Sequence, residues 1–168
     1  MKVVIYTDGS CLKNPGPGGY ACVISDSEFI TKLSGGEDNT TNNRMEMKAV
    51  ICGLYEMYKR IVKFKKDLGV DEIEINSDSS YVVNAFNQNW VEKWKENGWI
   101  TGKDKSVKNV DLWLEIMNLM NKLMKDGKVR KIRFKKVKGH DGVPLNEECD
   151  SLARKEALMI KNAKRGMV

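Results

Sequence analysis

Four carboxylates sit at positions where they could do chemistry. Asp8 follows the apolar run "VVIY" (3–6), and Asp78 follows "EIEINS" (72–77) in the same way. Glu46 lies in "TNNRMEMKA" (41–49) beside Met47, and Asp150 lies in "NEECDSLAR" (146–154) beside Cys149, Leu152 and Ala153. Singly, they have plain readings. Asp8 suits a turn, Glu46 suits the positive end of a helix, and Asp78 suits an N-cap before two serines. Together they are harder to dismiss, because acids rarely crowd a core edge without a counter-charge. If the two strands are parallel neighbours, Asp8 and Asp78 emerge side by side, and helices can bring Glu46 and Asp150 over them. An all-oxygen acidic cluster suits a hard divalent cation, Mg²⁺ or Mn²⁺. Two such ions about 4 Å apart form a device for phosphodiester hydrolysis, one activating water and the other steadying the leaving oxygen.

The elements that must hold these acids follow from apolar spacing. Residues 2–7, 19–25 and 28–34 read as three strands, joined by a glycine-rich turn and by a tight Asp26-Ser27 connection that makes the last two a hairpin. Apolar residues at 47, 50, 51, 54, 57, 58 and 61 give a helical stripe, with Thr41 as its natural N-cap. Residues 71–78 read as a strand, 79–87 as a short helix, and 90–108 as a Trp- and Lys-rich segment. A helix over 110–126 places Leu112, Trp113, Ile116, Leu119, Met120 and Leu123 on one face, with Gly127 as its stop. Residues 129–138 are a fifth strand, and a last helix starts at about Asn146. Three strands in succession followed by strand–helix alternation predict a single α/β domain over 1–168, a mixed sheet with helices packed on it.

Composition narrows the partners. The chain of 168 residues carries a net charge of +6 and a pI near 9.1, which suits a polyanion such as nucleic acid. No apolar run approaches a membrane span or a signal-peptide core, so a cytoplasmic setting is expected. Cys11, Cys22, Cys52 and Cys149 show no paired metal-ligand spacing and read as reduced thiols. A phosphate-cradling loop is excluded. "GPGGYA" (16–21) matches GxGxxA, but it holds a proline and a strand follows where a helix must open.

The runs "YTDGSCLKNPGPGGYA", "TNNRMEMKA", "INSDSSYV", "GW…VKNVDLW" and "VKGHDGVPLNEECDSLAR" resemble the type 1 ribonuclease H family, in that family's order and over nearly the whole chain. The resemblance implies a five-stranded mixed sheet, three antiparallel strands then two parallel, with helices on both faces. It implies cleavage of the RNA strand of an RNA/DNA hybrid by two Mg²⁺ ions, with Mn²⁺ as a substitute, leaving 5′-phosphate and 3′-hydroxyl ends. The metal ligands would be Asp8, Glu46, Asp78 and Asp150. His140, the one histidine, matches a mobile residue that assists proton transfer or product release.

For the substrate, Asn14, Asn42 and Asn43 match minor-groove contacts, and Thr41 with Asn109 matches a pocket for a DNA-strand phosphate. Trp90 and Tyr81 are placed to line the DNA channel, whereas Trp94 and Trp99 read as a satellite core. Glycines 9, 16, 18 and 19 are expected to bring backbone close to the hybrid and to the next strand. The chain also departs from the family pattern. Glu92, Glu96 and Asp104 dilute the five lysines of 90–108, Ser80 stands where members often carry a longer side chain, and Asn39 stands where some carry arginine. The lysines of 128–138 read as edge protection. No separate hybrid-binding domain is expected, and a monomer is. Two rivals remain: another nuclease of the same superfamily, such as a junction resolvase, and a non-catalytic hybrid-binding module. The asparagines and the Trp-rich segment favour hybrid cleavage over the first. The four acids oppose the second, since a mere binder gains nothing by repelling phosphates.

Overall fold

The computed structural model describes residues 1–103, 105–138 and 142–166. Its strands are β1 (Lys2–Cys11), β2 (Gly16–Ser25), β3 (Ile30–Thr40), β4 (Glu72–Ser77) and β5 (Lys131–Lys136). They form one sheet in the order β3-β2-β1-β4-β5. The first three pair antiparallel, while β1–β4 and β4–β5 are parallel, as the sequence predicts. The helices are α1 (Asn42–Tyr58), which continues into a π-helical turn (Lys59–Lys63), α2 (Ser80–Asn87), α3 (Trp90–Glu96), α4 (Val110–Lys125) and α5 (Pro144–Gly166). No helix among the described residues is long and apolar enough to cross a membrane.

Alternation along the strands sends side chains to both faces of the sheet, and each face finds a helix. Val3, Ile5, Ile73 and Ile75 lie under Met47, Val50, Leu54 and Met57 of α1, and Trp113, Ile116 and Leu123 of α4 complete this core. Trp113 is fully buried, and the rings of Tyr81, Phe86 and Trp94 surround it at 5.3–5.7 Å. The opposite face carries α5, whose Cys149 thiol donates to the Tyr6 carbonyl at 3.2 Å. β5 is an edge strand with Lys131, Lys135 and Lys136 exposed. That placement fits edge protection.

Three local differences from the sequence reading have physical causes. β1 and β2 run further than expected, to Cys11 and from Gly16, because Ser10 and Cys11 pair with Gly19 and Gly18. The connecting turn shrinks to residues 12–15. The capping role at α2 falls to Ser79, whose hydroxyl accepts from the Val82 N–H at 3.3 Å, and not to Asp78. The last helix begins at Pro144, two residues early, so Asp150 lies nearly two turns in.

The glycines also serve a different purpose from the one expected. A Cβ on Gly9 would collide with the backbone of Met45 and Glu46, and one on Gly19 with the carbonyl of Ala153 and the backbone of Ala157. Their bareness lets α1 and α5 approach the sheet, and the close neighbours are helices of this chain. Gly19→Ala should therefore push α5 outward and cost about 1–3 kcal/mol by urea unfolding. Gly102→Ala, whose Cβ would meet nothing within 4 Å, should be near neutral. Equal midpoints for the two variants would show that α5 gives way freely.

Candidate active site

The parallel register puts Thr7 opposite Ser77, so Asp8, still within β1, and Asp78, just past β4, come side by side. Thr41 starts α1 by accepting the Arg44 N–H at 3.2 Å. The close pass of Met45 and Glu46 over Gly9 then swings Glu46 above Asp8. One carboxylate oxygen from each of Asp8, Glu46 and Asp78 lies within 4.8 Å of the others. Asp150 joins from α5 at the border of this group. Its Oδ2 lies 3.4 Å from Arg154 Nε, and its charge is still felt at Asp8.

Burial and like charge act together on these acids. Asp8 is only 5% exposed. Burial first, then the Asp78 carboxylate, push its carboxyl up to about 7, while the Gly9 N–H donating at 2.9 Å pulls the other way. Glu46 is raised well above the ordinary glutamate range by burial, then by Asp8 and Asp78. Its Oε2 is buried with no hydrogen-bond partner. An unpartnered buried acceptor within an all-oxygen, mutually repelling set fits a hard divalent cation.

The substrate candidates are held by contacts of their own. Asn14 Oδ1 accepts the Asn42 N–H at 3.0 Å, which ties the β1–β2 turn to the start of α1, and Asn42 and Asn43 are exposed. Asn109 precedes α4 in left-handed backbone (φ 62). Its Nδ2 donates to the Tyr81 hydroxyl at 3.1 Å, and its Oδ1 accepts from Arg44 Nη1 at 3.3 Å. Trp90 packs on Trp94, and Trp94, Trp99 and Trp90 all pack partly buried against the core. The satellite-core reading of Trp94 and Trp99 fits this packing. His140 lies outside the described residues.

The sequence reading passed over Arg44 and Asp111. The Arg44 guanidinium grips both Asp111 oxygens, at 3.0 and 2.8 Å, while also reaching Asn109. A signal existed: an arginine in the first turn of a helix opposes the helix dipole, so an acid must hold it. The four cysteines are free, as expected of reduced thiols. Cys11 Sγ donates to the Lys13 carbonyl and Cys149 Sγ to that of Tyr6.

A mixed sheet with carboxylates gathered at the C-terminal ends of neighbouring parallel strands defines a class, the metal-dependent enzymes of phosphoryl transfer. The RNase H family profile matches residues 1–158, and the chain belongs to the ribonuclease H family. It is similar to the ribonuclease H of Caldicellulosiruptor saccharolyticus, 44% identical over 153 residues covering 91% of this chain and 94% of that one. It is also similar to that of Acetivibrio thermocellus, 44% identical over 164 residues covering 98% and 99%. Among solved structures, LC11-RNase H1 in complex with RNA/DNA hybrid shares the fold, with a TM-score of 0.65, 23% identity and coverage of 96% and 98%.

The raised carboxyls make a pH prediction. Asp8 binds its proton more tightly folded than unfolded, so its contribution to stability is complete below roughly pH 4, where the unfolded carboxyl is also protonated. That contribution is lost as pH rises through about 7. In chelator, the Tm of the parent relative to Asp8→Asn should therefore fall from pH 4 to pH 7 and then level, leaving the variant at least as stable. Parallel Tm curves would mean that Asp8 is ionised throughout.

Proposed function

We propose that Asp8, Glu46 and Asp78, joined by Asp150, form the metal-holding centre through which this ribonuclease H hydrolyses the RNA strand of RNA/DNA hybrids. The observation that carries the reading is the convergence of three carboxylate oxygens within 4.8 Å in a chain of this family, one of them on the buried Asp8. When bound, divalent ions supply an activated water and charge stabilisation at the leaving oxygen; we assign two Mg²⁺, with Mn²⁺ as a substitute. The carboxylates hold this charge because β1 fixes Asp8 within the sheet, β4 sets Asp78 just past its end and α1 fixes Glu46. Departure of the RNA 3′-oxygen leaves 3′-hydroxyl and 5′-phosphate ends. His140, between glycines and ten residues before Asp150, is assigned to proton transfer or product release.

Selection of a hybrid requires reading both strands. The RNA strand shows 2′-hydroxyls in a wide, shallow minor groove, and Asn14, Asn42 and Asn43 stand exposed beside the acids to meet them. Thr41 and Asn109 are assigned to a DNA phosphate, with Arg44 as the residue that positions them. It holds the Asn109 amide directly, and its own N–H is capped by Thr41. Tyr81 and Trp90 are assigned to the deoxyribose side. LC11-RNase H1, which shares the fold, is seen in complex with RNA/DNA hybrid, in keeping with this substrate. We place the protein in the cytoplasm as a monomer of one domain, on its composition and unpaired cysteines.

The test is a strand-labelled RNA/DNA hybrid with and without Mg²⁺, beside single-stranded RNA, duplex DNA and duplex RNA. Only the RNA strand of the hybrid should be cut, and chelator should stop it. Asp8→Asn should lower activity by orders of magnitude while staying folded, and His140→Ala should retain measurable activity. Comparable cutting of duplex DNA, or an active Asp8→Asn, would sink the assignment. Arg44→Ala should raise KM several-fold at low salt and less as salt rises, with kcat nearly unchanged, since phosphate contacts supply salt-sensitive ground-state affinity. A fall in kcat at constant KM would instead place Arg44 at the reacting phosphate.

A further inference from the structure

Two cysteines that take no part in the acidic centre face each other across the sheet–helix interface. Cys22, on β2, is fully buried, while Cys52, on α1, is half-buried and lines an open cavity of about 380 Å³. Each thiol is close enough to shift the titration of the other. The helix turn that carries Cys52 rests directly on Cys22, since a Cβ on the next residue, Gly53, would lie 3.7 Å from Cys22 Cβ. Tyr20, Lys48, Lys59 and Glu56 share the cavity wall, and the Lys59 ammonium pairs with Glu56 at 2.7 Å. A small polar reagent entering the cavity thus meets one thiol at its wall, with a second thiol immediately behind the first.

The other two cysteines are placed differently. Cys11 Sγ donates to three carbonyls, those of Lys13, Gly16 and Thr40. Cys149 is buried under α5 and donates to Tyr6. Neither lines the cavity that Cys52 faces.

We propose that Cys52 is a hydroperoxide-reactive site and that Cys22 is its resolving thiol. The nearness of Cys22 supports the reading, since interaction with it, assisted by Lys59, draws the Cys52 thiol below its ordinary range against burial and the Glu56 charge, whereas burial raises both Cys11 and Cys149. In the first step the Cys52 thiolate attacks one oxygen of hydrogen peroxide. A sulfur–oxygen bond forms, the oxygen–oxygen bond breaks, and the hydroxide released takes up the thiol proton as water. Sulfur is oxidised by two electrons and the peroxide is reduced. In the second step the Cys22 sulfur attacks the sulfenyl sulfur of Cys52. A sulfur–sulfur bond forms, the sulfur–oxygen bond breaks, and hydroxide leaves with the Cys22 proton as a second water. The resulting bond staples β2 to the helix that carries Glu46. A thiol reductant reverses it, as the reducing setting of a cytosolic protein requires.

The experiment treats the full chain with a small excess of hydrogen peroxide in the presence of dimedone, which captures sulfenic acid, and maps the products by peptide mass spectrometry. The parent should lose the mass of two hydrogens, give a Cys22–Cys52 peptide, and melt several degrees higher until dithiothreitol is added. Cys22→Ala should instead accumulate the dimedone adduct on Cys52, about tenfold faster than on Cys11. Cys52→Ala should give neither product. A Cys11–Cys149 disulfide in the parent, or labelling of Cys11 at least as fast as Cys52, would overturn the proposal. Because the disulfide is read in the unaltered parent, a poorly folded Cys22→Ala would leave that readout intact. Absence of the Cys22–Cys52 peptide would then refute the resolving role, with Cys22→Ser as the check on adduct formation at Cys52.

Discussion

The structure is organised around a repulsion. Asp8, Glu46 and Asp78 are held with oxygens within 4.8 Å of one another, at the edge of a packed core where water screens them poorly. Like charge opposes such proximity, offset only in part by the interaction between the Asp8 and Glu46 carboxyls. The proximity is imposed by the parallel pairing of β1 with β4 and by α1 lying close over β1. The hydrophobic burial of Ile5, Ile73, Ile75, Met47 and Leu54 is large enough to hold the acids against their mutual charge. The cluster is therefore a store of negative potential that a divalent cation relieves, and the fold supplies the walls of that store.

Precision at the cluster comes from what is missing as much as from what is present. At Gly9 and Gly19 the sheet has no Cβ, and α1 and α5 come closer to it there than any side chain would permit. The helices thus bring Glu46 and Asp150 from opposite faces of one sheet toward a single end. A second lock lies beside the first. The Arg44–Asp111 pair and its bond to Asn109 tie the start of α1 to the start of α4, and Tyr81 joins α2 to the same knot. Three helix starts are fixed relative to one another, and the exposed asparagines sit on that platform.

The strands, the helices and the four acids were legible because each rests on local pattern, whereas strand direction came with the family resemblance and strand order with the structure. Alternation marks β4, the apolar stripe marks α1, and a carboxylate after an apolar strand is conspicuous by type. Other features were less accessible because they are decided by contacts distant in sequence. The extension of β1 and β2 through the glycines depends on cross-strand pairing, not on propensity. The purpose of Gly9 and Gly19 depends on helices that begin more than thirty and more than one hundred residues later. Asp78 gave way to Ser79 as the cap because serine matches that geometry equally well and stands one residue closer. Arg44 was visible as a charge misplaced on a helix dipole, but its partner Asp111 lies 67 residues away. Asp150 kept its predicted neighbourhood and acquired an Arg154 contact one helical turn further on.

The parallel pairing of β1 with β4 has a kinetic side as well. It joins Lys2 to Glu72 and Thr7 to Ser77, pairs seventy residues apart, whereas β1–β2 and β2–β3 close as near neighbours. Long-range pairing carries the greater loop-closure cost and slows the search for the native state. The meander of β1 to β3 is thus able to assemble while Asp8 and Asp78 are still far apart and feel no mutual charge. The electrostatic burden of the site falls on the chain only when β4 docks, and the same docking buries Ile73 and Ile75, which help to outweigh it. The pairing that creates the most unfavourable feature of the fold thus carries part of its own compensation.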